Sequence, residues 1–195
     1  MSTHPKTRIT PEEYLALERR AEIKSEYLDG EVFATSGTTL LHNIIVLNIA
    51  TELNTQFMDR PCQVYSSDLR VKVSPTGLYT YPDIAAVCGE PQLEDDHFDT
   101  LLNPELIIEV LSDSTESYDR GKKFAHYRTI ESLGEYVLVS QTECRIERFG
   151  RQEDGNWLHT ECTDPDGSIE LRTVACRLSL SRVYHKVNFI RNFSL

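Results

Sequence analysis

Residues 81–89 read YPDIAAVCG, with a proline and a carboxylate at the mouth of a run that otherwise reads as core. Short apolar runs bounded by breakers mark strands buried on both faces. LIIEVLS at 106–112 is a second such run, with Glu109 between Ile108 and Val110. Two central strands of this kind predict a sheet with covered faces. An ionised carboxylate in such a strand is costly unless it is paired or bound to a metal. Asp83 is therefore either a turn residue at the edge of the fold or a group with a positive partner, and Glu109 needs an arginine, a lysine or a cation.

Outward from these strands, Thr10-Pro11-Glu12-Glu13 predicts a helix start, with Thr10 as cap, Pro11 in the first turn and Glu13 completing a capping box. EYLDGEVFA predicts a hairpin turning at Asp29-Gly30. In TTLLHNIIVLNIATELNTQFM, Leu41, Ile44, Ile45, Ile49, Leu53 and Phe57 recur at helical spacing, which predicts a long helix on a sheet, stopped before Pro61. QVYSSDLRVKV alternates as a strand. GEPQLEDDHFDTLLNP, with Glu90, Glu94, Asp95, Asp96 and Asp99, is expected to be a solvated loop away from any cleft. A helix is expected from Ser114 or Thr115 to Ile130, then strands joined by tight turns, then a short helix over Leu180 to Val187. The pattern predicts one α/β domain over residues 1–195, with a mixed sheet and helices on its faces.

The chain carries net charge −11 and five scattered cysteines. The charge argues against gripping nucleic acid by whole-molecule attraction, though not against a local basic cleft or a metal that reverses the local sign. With no C-x-x-C pair and an odd count, neither a disulfide framework nor a zinc knuckle is expected. The polar opening MSTHPKTRIT and the lack of a long apolar stretch predict a soluble cytoplasmic protein. The sequence contains no metalloprotease helix, nucleophile elbow or phosphate-cradling glycine loop.

Lys123 has its own signal. At roughly 100° per residue, ESYDRGKKFAHYRTI puts Phe124, Tyr127 and Ile130 on one side, Lys123 inside that arc and Lys122 opposite. The alternatives are an amine snorkelling along the core edge and an ammonium aimed back at the Glu109 strand. Two strand carboxylates that converge would repel each other, a divalent cation relieves that, and an all-oxygen set suits Mg²⁺ or Mn²⁺. Acid, acid and lysine on adjacent elements suit phosphodiester hydrolysis. Asp119 is expected to cap or to pair with Arg120 or Lys123. Arg120, Lys122 and Arg128 make the local basic excess that a phosphate backbone would meet.

YPDIAAVC, PELIIEVLS and DRGKKFAHYR, with SEYLDGEVFA, His42 and SSDLRVKV, resemble the motif blocks of the Uma-type restriction endonuclease family of the PD-(D/E)XK nuclease superfamily. The resemblance covers most of the chain. It implies a restriction-endonuclease-like mixed central sheet flanked by helices, and a Mg²⁺- or Mn²⁺-dependent endonuclease acting on DNA, commonly as a homodimer. It matches Asp83 and Glu109 to the metal carboxylates and the Val110 backbone carbonyl to a further ligand. The superfamily's usual lysine position is Leu111 here, and Lys123 on the following helix takes its place. Glu26, His42 and Asp68 match family positions near the site; the residues alone offer an exposed strand-end acid for Glu26, favour a satisfied helix histidine for His42, and make Asp68 equally a turn or ladder partner. The alternative function is a binding or assembly module that keeps the fold without turnover.

Overall fold

The computed structural model describes residues 8–35 and 38–189. Most of the polar opening MSTHPKTRIT lies outside them. The expected hairpin is present: β1 (Ser25–Leu28) pairs antiparallel with β2 (Glu31–Ala34). Its turn residues Asp29 and Gly30 both have positive φ, the conformation that an Asp-Gly pair favours. The first helix, α1 (Pro11–Glu18), opens with both bonds of the capping box between Thr10 and Glu13. The long helix α2 (Leu40–Phe57) buries Ile45, Ile49, Leu53 and Phe57, a strict i, i+4 stripe. Each such burial is worth about 1.5–3 kcal/mol. Leu41 and Ile44 lie beside the stripe and are only half buried.

Two larger sheets replace the single expected one. QVYSSDLRVKV is not one strand but two, β3 (Cys62–Ser66) and β4 (Arg70–Val73), broken by a turn at residues 67–69. The alternation continues through the corner, so sequence period alone does not show the break. With β4 stand β5 (Leu78–Thr80) and β7 (Thr100–Leu101), giving a five-stranded sheet in the order β2-β1-β5-β4-β7. The other strand joins β6 (Ile84–Cys88), β8 (Leu106–Leu111), β9 (Glu135–Ser140), β10 (Ile146–Arg151) and β11 (Trp157–Cys162), in the order β11-β10-β9-β8-β6-β3. Both sheets are mixed, since β8·β9 and β4·β7 are parallel.

The six-stranded sheet is covered on both faces, as its central runs predict. Ile84, Ala86, Ile108 and Val110 face α2 and a C-terminal hairpin of β12 (Ser168–Leu171) and β13 (Cys176–Ser179). Ala85, Val87, Ile107 and Leu111 face the five-stranded sheet and the helix that follows β8. That helix runs as α3 (Glu116–Tyr118), a π-helical turn (Asp119–Lys123) and α4 (Phe124–Tyr127). The chain's last described helix is α5 (Leu180–Val183), shorter than expected.

One expectation is overturned by strand register. Cys62 and Cys88 are directly opposed in the antiparallel β3·β6 pair and form a disulfide, although they lie 26 residues apart in sequence. Cys144, Cys162 and Cys176 are free. Among the described residues no helix is long and apolar enough to cross a membrane.

Candidate active site

The antiparallel register of β6 and β8 sets Ile84 opposite Ile108. One step further toward the open end, Asp83 comes opposite Glu109. Pro82 carries no N–H, so regular pairing stops there and side chains complete the strand ends. The Asp83 amide donates to Glu109 Oε2 at 3.3 Å, and Asp83 Oδ2 accepts the Val110 N–H at 2.8 Å. His42, near the start of α2, is buried with Nε2 3.1 Å from Asp83 Oδ2.

Glu109 shares a strand face with Ile107 and Leu111 and so faces the helix beyond β8. It is 4% exposed. Its Oε1 lies 2.9 Å from Lys123 Nζ and accepts the Tyr127 hydroxyl at 2.8 Å. Lys123, itself buried, has Glu26 Oε1 at 3.5 Å and Asp119 Oδ1 at 3.6 Å as further partners. Lys123 thus points inward while Lys122 is exposed, as the helical phase predicts. The π-turn that ends at Lys123 is a form frequent at functional sites. Glu26 is half buried on β1, and its Oε1 accepts the Thr80 hydroxyl at 2.5 Å. β1·β5 register explains that contact, since Tyr27 opposes Tyr79 and the next pair is Glu26 with Thr80.

The electrostatics follow from burial. Desolvation raises Glu109, with Asp119 and Asp83 adding to the rise and Lys123 opposing it. Desolvation likewise raises Asp119. For Lys123, burial works against the charge, but Glu109, Glu26 and Asp119 outweigh it and hold the amine well above its ordinary value. Four carboxyl groups, Glu26, Asp83, Glu109 and Asp119, therefore converge around one lysine and one histidine.

A second network holds the frame. Tyr81, two residues before Asp83, donates its hydroxyl to Glu18 at 3.0 Å and accepts from Arg70 at 2.8 Å. Glu18 in turn accepts the Ser25 amide beside Glu26 at 2.8 Å. Arg70 continues to Asp99 at 2.9 Å, and Asp99 to Arg19 at 2.8 Å. The acidic segment is thus pinned rather than freely solvated, with Glu94 also held by Lys72 at 2.5 Å. The expectation of a solvated loop failed because its cationic partners come from distant elements.

Not every candidate joins the cluster. Asp68 sits in the exposed turn between β3 and β4 and pairs with Lys24 at 2.8 Å, with no contact to Asp83, Glu109 or Lys123. Arg120 is spent on Glu116 and Glu147, at 2.7 and 2.5 Å, which leaves Lys122 and Arg128 as the exposed cations of that basic stretch. Glu147, His159 and Glu161 bring ligand atoms within 4.8 Å of one another on β10 and β11, but Glu147 is already neutralised by Arg120. Tyr127 and Thr80 are the contacts that sequence reading missed. Tyr127 reads as one more core residue, and its signal is its place four residues after Lys123 on the same helix face.

Residues 11–182 match the family model Uma2, described as "Putative restriction endonuclease". Two proteins of Synechocystis sp. are similar. The uncharacterized protein sll1609 is 36% identical over 83% of this chain and 92% of its own length. The uncharacterized protein slr1290 is 34% identical over 95% of this chain and 96% of its own. A crystal structure described as a putative nuclease from Anabaena variabilis superposes with a TM-score of 0.74, covering 90% of this chain and 97% of that one, at 20% identity. That likeness fixes the fold as restriction-endonuclease-like, a mixed α/β arrangement flanked by helices.

Proposed function

Because the chain belongs to the Uma2 family, described as putative restriction endonucleases, we propose that it is a divalent-cation-dependent endonuclease that hydrolyses DNA phosphodiester bonds. The observation that carries this reading is Asp83 opposed to Glu109, with the Lys123 ammonium 2.9 Å from Glu109. A buried surplus of acid is what a divalent cation relieves. The donor set fits: Asp83, Glu109 and the Val110 carbonyl would hold Mg²⁺ or Mn²⁺ through oxygen alone. A cation bound there supplies Lewis-acid polarisation of the phosphate.

The chain's own residues supply the rest. Lys123 holds a fixed positive charge where negative charge grows on the phosphorus oxygens. Three carboxylates lie within 3.6 Å of its nitrogen, so the charge is held in place before substrate arrives. In the proposed step a water oxygen bonds to phosphorus and gives a proton to bulk water, while the bond to the leaving sugar oxygen breaks and that oxygen takes up a proton from solvent to leave as the alcohol. His42 and Val110 N–H fix Asp83, while Glu26 and Asp119 hold Lys123. A homodimer, one copy per strand, completes the proposal; Leu40 and Leu47 on the outer side of α2 are exposed apolar groups suited to such a contact.

The net charge of −11 favours a second reading, a binding or assembly module of the same fold without turnover. Nicking of supercoiled plasmid at low salt with Mn²⁺ separates the two. Loss of nicking in Glu109→Gln and Lys123→Ala supports the nuclease. A wild type that neither binds Mn²⁺ nor nicks DNA supports the module.

A further inference from the structure

Glu109 offers two oxygens, and the structure treats them differently. Oε1 takes both strong donors, Lys123 Nζ at 2.9 Å and the Tyr127 hydroxyl at 2.8 Å. Oε2 faces the Asp83 amide at 3.3 Å. The direction of the tyrosine's proton follows from counting donors. Thr80 has one hydroxyl proton and gives it to Glu26 at 2.5 Å; its separation from the Tyr127 oxygen is 3.4 Å. The Tyr127 proton goes to Glu109 Oε1 at 2.8 Å rather than to the Thr80 oxygen at 3.4 Å, and a phenol keeps that proton at neutral pH.

The two donors are not equivalent. The Lys123 nitrogen is held in place by Glu26 and Asp119 as well as Glu109, but an ammonium is a point charge whose donors rotate about that nitrogen, so it attracts the carboxylate without setting its plane. The phenol is rigid. Its ring is fully buried and packs edge-on to Tyr136 with centroids 5.4 Å apart. A directional O–H donor selects one carboxylate rotation where a point charge does not.

We propose that Tyr127 is a positioning residue: it locks Glu109 so that Oε1 is occupied by protein donors and Oε2 is presented toward Asp83 as the cation-binding oxygen. This rests on the cation-dependent reading of the site. Partners that orient a metal ligand commonly affect affinity by about 10–100-fold, and the loss of one hydroxyl belongs at the lower end.

The test is Mn²⁺ titration calorimetry on the full chain. Tyr127→Phe is expected to weaken Mn²⁺ binding about 10-fold, with little change in the thermal midpoint of the metal-free protein. Tyr136→Phe is the control for general loosening. It removes another buried hydroxyl of the same cluster, one that donates to the Asp119 carbonyl at 3.1 Å rather than to Glu109. It is expected to leave Mn²⁺ affinity within about 2-fold, small on that scale. Equal affinity for wild type and Tyr127→Phe overturns the positioning role while the site reading stands. Equal losses in both variants also overturn it, in favour of a packing effect. A wild type that binds no Mn²⁺ overturns the site reading and the positioning role together.

Discussion

Asp83 stands opposite Glu109 one register step beyond Ile84 and Ile108, and its amide donates to Glu109 Oε2 at 3.3 Å. Burial raises Glu109 and the Asp83 charge adds to that rise, and everything proposed for the site turns on the pair.

Asp83→Asn is expected to abolish Mn²⁺ binding by calorimetry while the fold persists. An asparagine oxygen still accepts the Val110 N–H that Asp83 Oδ2 accepts at 2.8 Å. Circular dichroism should therefore match wild type. Retained binding at unchanged affinity would remove Asp83 from the ligand set.

Lys123→Met is expected to destabilise the metal-free chain by about 3–5 kcal/mol, the usual consequence of leaving a buried charge unpaired. Glu109, Glu26 and Asp119 all lose their shared cation. Urea unfolding at neutral pH measures it, and a change under about 1 kcal/mol, the range of an exposed pair, would show that Lys123 is not the group holding these acids.

Asp99 predicts an acid limb to stability. The Arg19 guanidinium, helped by Arg70 and Thr100 against partial burial, holds Asp99 far below the usual carboxylate range. Its folded pKa is thus depressed. Such a group contributes stability above the unfolded value of about 3.9, and that stability is lost as pH falls through the folded pKa. The difference in unfolding free energy between wild type and Asp99→Asn should be flat from about pH 7 to 5 and shrink below about pH 4. A difference that grows with acid would place the stabilising partner elsewhere.

The Cys62–Cys88 cross-link closes a loop of 26 residues. For a loop of that length reduction is expected to cost about 3 kcal/mol of stability, mainly by freeing the unfolded chain. Thiol titration of the unfolded, unreduced protein should find Cys144, Cys162 and Cys176 alone. All five cysteines reacting without reductant would mean that the bond does not form.

Much of the architecture is legible where it rests on local period or turn chemistry. The Thr10 cap, the Asp29-Gly30 hairpin and the buried stripe of α2 need only neighbours in the chain. The same holds for the inward side of Lys123, which survives the π-turn because Lys123 and Tyr127 remain one helical turn apart. The break at residues 67–69 stayed hidden because alternation runs on through the corner while the strand partners change sheets. Asp68 misled for the same reason, since a family position in a presumed strand is here an exposed turn paired with Lys24.

By itself the sequence determined which groups would be expensive to bury, and on which side of their own strand or helix they lie, because those properties repeat with the backbone's own period. Only the tertiary structure decided who meets them: His42 at Asp83, Tyr127 and Lys123 at one oxygen of Glu109, Thr80 at Glu26, Cys88 at Cys62. Those meetings depend on which strands pair and in what register. Register is chosen by burial summed over the whole sheet, a quantity that no short stretch of chain contains.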